Sequence, residues 1–267
     1  MRRAGTYGSW WCLGHYRRVV IEHLLPQLAS LSGLVAITLG GSRAVGTERA
    51  DSDWDLGLYY RDSFDVEQLR RLGYPGYVAG PGKWGRIMNG GAWLTVDGEP
   101  VDLLLRDLNQ VERWQREAAL GRFDIDNLEG HVAGVPTYLV VAEVAVGRVL
   151  FGSLPPVRYP LALRQAAPSR WRWVAAFSMF YAAKHASRDD QLATLGMISR
   201  AATQAAHARM AEQARWVLNE KGLLARAELD LHAVLDAHAT PSRAVDIARD
   251  LLDIPAPADP RFPVTIG

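Results

Sequence analysis

The residues best suited to chemistry in this chain are two carboxylates one residue apart in an extended run, Asp53 and Asp55 of Ser52-Asp53-Trp54-Asp55-Leu56. Side chains alternate across a strand, so both acids would leave one face while Trp54 and Leu56 leave the other. Such a pair is costly unless a cation lies between its members, and hard oxygen ligands suit Mg²⁺. Upstream, Gly40-Gly41-Ser42 breaks the apolar run Leu34 to Leu39. Glycines there would let backbone N–H groups turn toward an anion, with the Ser42 hydroxyl beside a helix start. A divalent metal next to a phosphate cradle is apparatus for phosphoryl or nucleotidyl transfer. A third acid, Asp102, interrupts the aliphatic series Val101, Leu103, Leu104, Leu105. An acid inside a buried strand has to be paired, hydrated or bound to metal, and an ion pair with an arginine such as Arg106 is the alternative to a metal.

Gly41-Ser42, ten intervening residues and then Asp53-x-Asp55 resemble the signature of the DNA polymerase beta-like nucleotidyltransferase superfamily. Gly46 and the 52–56 run resemble its small bacterial members related to the aminoglycoside (kanamycin-type) nucleotidyltransferases. The resemblance implies an α+β fold, a mixed-sheet catalytic domain followed by a helical bundle. It implies Mg²⁺ held by Asp53, Asp55 and, on a later strand, Asp102, the three also being the catalytic carboxylates. Gly41 and Ser42 would grip the β- and γ-phosphates of a nucleoside triphosphate, with ATP as the expected donor. In the aminoglycoside enzymes a glutamate beyond the metal strands acts as base toward the acceptor. Glu143 resembles it by context, an ordinary half-exposed helix glutamate being the competing reading. The expected acceptor is a hydroxyl of a small molecule such as an aminoglycoside or lincosamide, an antibiotic-resistance role. Nucleotidylation of a tRNA end or a protein, as in toxin-antitoxin systems, and a non-catalytic nucleotide-binding module are the alternatives.

These residues need elements to hold them. A helical pattern starts at His15, with Val19, Val20, His23 and Leu24 on one face, and is kinked or ended at Pro26. A strand, a turn at Gly40-Gly41-Ser42, a short helix and a second strand through Asp55 follow. Asp65 to Leu72 reads as a short helix with Ser63 as a possible N-cap. The glycine-rich segment 73–91 reads as a long functional or surface loop, in which Lys83-Trp84-Gly85-Arg86 would make a wall for a nucleobase or polar substrate. Asp97-Gly98 between two apolar runs predicts a tight hairpin carrying Asp102 on its second arm. An amphipathic helix is expected over 107–120, ended by Gly121, and His131 reads as a loop histidine. A further helix is expected from a Thr137 cap to Leu150, bearing Glu143.

Ser153-Leu-Pro-Pro is the best linker, which divides the chain into a catalytic domain over 1–152 and a helical bundle over 153–267. Helices are expected over 171–184, 192–218 and 227–237, with Gly222 ending the long one. Residues 184–226 hold seven Lys or Arg against four acids. That bias would receive a triphosphate across the domain cleft, with Lys184 and Lys221 as the first candidates.

The chain has 267 residues, 49% hydrophobic and 22% charged, with net charge +1. That profile suits a globular protein with a proper core and excludes a dedicated duplex-binding surface, which needs a basic excess. One cysteine, Cys12, precludes an intrachain disulfide and fits a reducing cytoplasm. Trp10 and Trp11 are expected to cover a core edge, and the proline-bearing tail 255–267 to be irregular. No signal peptide or membrane-spanning run is read, so no membrane partner is expected, and no oligomeric state is assigned.

Overall fold

The computed structural model describes residues 18–49, 52–235 and 240–254. The sequence expectations for Trp10, Trp11, Cys12 and the tail 255–267 lie outside the described residues. The chain divides into two compact units, residues 1–109 with 147–155, and residues 110–146 with 156–267. It is an α+β protein whose mixed sheet precedes its long helices.

The first unit is organised by a six-stranded sheet. In chain order its elements are α1 (Arg18–Ala29), β1 (Leu34–Leu39), α2 (Gly41–Val45), β2 (Trp54–Tyr60), α3 (Glu67–Arg71) and β3 (Gly76–Ala79). Then come α4 (Gly85–Met88), β4 (Gly90–Val96) and β5 (Glu99–Asp107). The strand that completes the sheet, Arg148–Gly152, is β8 in the numbering of the whole chain. The order is β3-β4-β5-β2-β1-β8. Only β2 and β5 are parallel neighbours, and every other pair is antiparallel. Alternation divides the strands cleanly. Ile37, Leu39, Leu56, Leu58, Ala92, Leu94, Leu103 and Leu105 leave one face and form the core with Leu24 and Leu28 of α1 and Leu69 of α3. The opposite face carries Asp55 and Asp102.

The Asp97-Gly98 hairpin is present as expected. Val96 pairs with Glu99, and both turn residues have positive φ, 53° and 85°, the geometry of a two-residue turn that matches strand twist. Residues 73–91 differ from the expected loop: they hold β3, α4 and the start of β4. Glycine obscures the strand signal there, yet the ladder needs it. A Cβ on Gly91 would lie 1.9 Å from the Leu103 carbonyl oxygen and 2.7 Å from the Trp84 ring. The helix over 67–71 has Val66 rather than Ser63 at its N-cap position and no side-chain cap hydrogen bond. Asp65 instead accepts from the Glu67 N–H at 3.0 Å.

The second unit contains α5 (Leu108–Ala119), the short pair β6 (Ile125–Asp126) and β7 (Val135–Pro136), and α6 (Leu139–Val146). It continues with α7 (Leu161–Ala186), α8 (Gln191–Glu212), α9 (Leu223–Arg226), a 3₁₀ turn over His232–Leu235 and α10 (Pro241–Leu252). The α7–α8 hairpin dominates. Its seam is lined by small side chains, Ala175, Ala182, Ala201, Ala202 and Ala206, with Met179 and Ile198 between them. Asp190 caps α8 by accepting from the Ala193 N–H at 3.1 Å, and Thr240 caps α10.

Three helix expectations shift. The run from Thr137 is helical only over α6, after which Gly147 breaks it and β8 pairs with β1 through Ile37–Phe151 and Thr38–Val149. Thr137 does not cap α6; its hydroxyl accepts from the Asp124 N–H at 3.2 Å. The long helix α8 stops at Glu212, short of Leu218, so Gly222 begins α9 rather than ending α8. The region around 227–237 forms only the 3₁₀ turn among its described residues, and α10 was not anticipated. The single domain boundary expected after Gly152 contrasts with crossings between the units after Asn109, Val146 and Pro155. The apolar α6 packs in the helical unit, where Leu139 and His207 both line a small cavity, while the β-branched and aromatic residues that follow it return to the sheet.

Candidate active site

The site is built from one row of paired residues. In the parallel ladder Asp55 stands directly opposite Asp102, and paired residues share a face. Adjacent strands are about 4.8 Å apart, so the two carboxylates are immediate neighbours. Both are partly buried. Asp53 lies one pleat before Asp55, outside β2, and is exposed. Its backbone is nevertheless fixed: buried Arg43 donates through Nε to the Asp53 carbonyl at 3.0 Å and through a terminal nitrogen to the Ser52 carbonyl. The same guanidinium lies 4.2 Å from the Trp54 ring centroid, a cation–π contact that holds the entry to β2. Arg43 is a positioning residue that pattern reading passed over, because its cation serves backbone carbonyls and no motif announces that.

On the β1 side, the Gly40 N–H donates to the Asp55 carbonyl at 2.8 Å. Gly41 then turns with φ 58°, so close to the acid that a Cβ there would sit 1.8 Å from Asp55 Oδ2. Only glycine fits this position, on both steric and dihedral grounds. Gly41 thus lies against the Asp55 carboxylate, and Ser42 follows it at the start of α2. Asp102, on the second arm of the hairpin, pairs with Asp55. Arg106, offered as its ionic partner, is buried and donates to the carbonyls of Met88 at 2.8 Å and Leu105 at 3.0 Å.

Among the described residues, no three His, Cys, Asp or Glu side chains are grouped so as to hold a metal ion. The acids stand as an adjacent pair with Asp53 apart. That arrangement still suits Mg²⁺, which is commonly bound by one or two carboxylates together with substrate phosphates and water rather than by an all-protein cage.

The row continues beyond Asp102. Trp93 of β4 pairs with Asp102, and Tyr77 of β3 pairs with Trp93. Trp93 and Tyr77 are each 53% exposed, with ring centroids 5.6 Å apart, and Trp84 stacks on Trp93 at 4.9 Å. Trp84 had been singled out as a possible ligand wall, while Trp93 and Tyr77 had not, because their alignment with Asp102 depends on strand register.

Glu143, Lys184 and Lys221 belong to the second unit. Glu143 is half-buried on α6. Lys184 is exposed near the end of α7, its ammonium 5.0 Å from the Phe180 centroid and 5.6 Å from that of Tyr181. Lys221 is exposed before α9, its N–H bonded to Asn219 Oδ1 at 3.1 Å.

The second unit also contains a polar cluster. His207, 4% exposed, stacks on Trp171 at 4.3 Å and lies 4.0 Å from the Glu220 carboxylate. His131 and His207 both line a small cavity with Glu220. Glu220 accepts from the N–H groups of Val132 and Ala133 at 2.6 and 2.8 Å. Burial drives the His207 pKa down to about 3, assisted by Arg226 and His131. The nearby Glu220 charge opposes that shift without cancelling it, since a 4.0 Å contact does not replace lost hydration.

No protein-family profile matches the sequence, and no curated protein does. Among solved structures, the chain is similar to a nucleotidyltransferase-like protein from Exiguobacterium sibiricum 255-15, at 13% identity and a TM-score of 0.45, over 88% of this chain and 72% of that one.

Proposed function

We propose that the protein is a nucleotidyltransferase that moves a nucleoside monophosphate from a nucleoside triphosphate, ATP in the first instance, to a hydroxyl group. The observation that carries this reading is the direct pairing of Asp55 with Asp102 on parallel strands beside the Gly41 turn. Asp55 and Asp102, with Asp53 one pleat away, would hold Mg²⁺, which when bound neutralises phosphate charge and lowers the pKa of a hydroxyl. Gly41 and Ser42 orient the polyphosphate with backbone N–H groups and a hydroxyl. Asp102 is the nearest acid to take the acceptor proton as the oxygen attacks phosphorus and pyrophosphate departs. Positioning and charge neutralisation supply most of the acceleration. Glu143, Lys184 and Lys221 belong to the second unit, and the roles expected for them, a base toward the acceptor and cations for the triphosphate, are proposals to be tested separately. Glu143→Gln would then lower kcat, and Lys184→Gln or Lys221→Gln would raise the KM for the nucleotide.

Two acceptor classes enter the test, a hydroxylated small molecule of the aminoglycoside kind and a nucleic-acid end. The decisive experiment incubates the protein with each nucleoside triphosphate, Mg²⁺ and a panel of hydroxylated antibiotics and RNAs, and follows pyrophosphate release. Asp55→Asn and Asp102→Asn are each expected to lower turnover at least about a hundredfold with an unchanged melting profile. Full turnover in either variant would remove the catalytic assignment.

A further inference from the structure

Tyr77, Trp93, Asp102 and Asp55 form a single cross-strand row through β3, β4, β5 and β2. The Gly41–Ser42 turn flanks Asp55 on the opposite side, toward β1. Resting on the transfer reading above, this order assigns sides. If the polyphosphate lies on the Gly41–Ser42 side of the carboxylates, the leaving pyrophosphate lies there too. The attacking and leaving oxygens of phosphoryl transfer are roughly in line. The acceptor hydroxyl must then arrive from the other side, over β5 and β4. Trp93 lies one strand from Asp102, about 5 Å away, and it and Tyr77 are more than half exposed there.

The surface has a definite chemistry. Trp84, half-buried, backs Trp93 at an interplanar angle of 20°, and the bare backbone of Gly91 admits its ring. The result is a rigid aromatic ledge. From residue 73 to 96 the only charged side chains are Lys83 and Arg86, both exposed and flanking Trp84 in sequence, and there is no acid. A polycation finds no acid in this segment and would compete with the metal for the acids of the row. An anionic acceptor with a flat ring gains from both features. Stacking on aromatic side chains is sequence-tolerant, while basic side chains follow the phosphates. The overall charge of +1 limits the footprint to a short segment rather than a duplex.

We infer that the Trp93–Tyr77 ledge seats the acceptor, and that the acceptor is a nucleotide, either free or at the end of a single-stranded RNA, whose base stacks on Trp93 while its hydroxyl reaches Asp102. This favours the nucleic-acid alternative over an aminoglycoside.

The test uses the 267-residue chain without any triphosphate. Anisotropy of a labelled single-stranded RNA decamer with a free 3′ end is measured for wild type, Trp93→Ala, Trp93→Phe and Tyr77→Ala, alongside competition by AMP, by the matching duplex and by kanamycin. Trp93→Ala is expected to weaken decamer binding about tenfold or more. Trp93→Phe should retain most of it, which separates stacking from misfolding, and the duplex should compete poorly. Competition by AMP at concentrations matching the decamer identifies a free nucleotide as the source; competition only by the strand identifies an RNA end. Equal decamer binding by wild type and Trp93→Ala, no binding of either the decamer or a labelled AMP, or kanamycin displacement that depends on Trp93 would each overturn the ledge assignment. Because binding is read before chemistry, absence of pyrophosphate release in the separate assay would strike the transfer reading alone. Wild-type turnover of another acceptor by Trp93→Ala would strike the ledge alone.

Discussion

At the scale of single residues, the site depends on Gly41 as much as on the acids. Replacing it with Ala puts a methyl group 1.8 Å from Asp55 Oδ2 at φ 58°. The dihedral alone costs about 1–2 kcal/mol, and relief of the clash requires the carboxylate to move. Gly41→Ala is therefore expected to lose activity by a larger factor than stability, as kcat against urea midpoint would reveal. Arg43→Lys tests the neighbouring support. Lysine cannot reach both the Ser52 and Asp53 carbonyls with fixed planar geometry, and a destabilisation of about 1.5–3 kcal/mol is expected. Much of this was legible beforehand: the Gly-Ser turn, the spacing to Asp53-x-Asp55 and the lone acid in an aliphatic strand all announce themselves by type and interval. Arg43, Trp93 and Tyr77 did not, because their meaning lies in which backbone or strand they adjoin.

The elements show where pattern reading succeeds and where it fails. Asp97-Gly98 specifies its hairpin locally, so β4 and β5 were found. The glycine-rich 73–91 segment hides β3 because its strand character comes from the partner strand rather than from its own residues, and α6 was run on into β8 because an apolar stretch has no period to separate helix from edge strand. The α7–α8 seam offers a direct test of packing. Ala202, 1% exposed, lies in a core lined by other alanines. Ala202→Leu should cost about 1–3 kcal/mol through overpacking, measured as a lowered urea midpoint, whereas the enlarging change Leu192→Phe at an exposed position should be close to neutral. His207 belongs to the same helix. Its folded pKa is depressed below the ordinary value of 6.5 to about 3, so the unfolded chain takes up the proton first as pH falls. The folded state keeps its full stability above about pH 6.5 and loses roughly 1.4 kcal/mol per pH unit between there and pH 3. Denaturation midpoints in His207→Phe, which preserves the stack on Trp171, should fall less steeply over that window.

For the molecule as a whole, the decisive feature is a chain that leaves the sheet after Asn109 and returns to it at Gly147. A fragment ending near residue 155 would retain all six strands but strip the apolar α6 of its packing, since Leu139, Val140, Val141 and Ala142 are at most 4% exposed. Such a fragment is expected to aggregate in size-exclusion chromatography, whereas the 267-residue chain should not. No described helix is long and apolar enough to cross a membrane. The return strand also constrains biosynthesis. Because β8 closes the sheet along β1, the ribosome must deliver α5, α6 and everything between them before that margin can be sealed. Until then the nascent chain presents an open β1 border, available to a chaperone or to a neighbouring polypeptide.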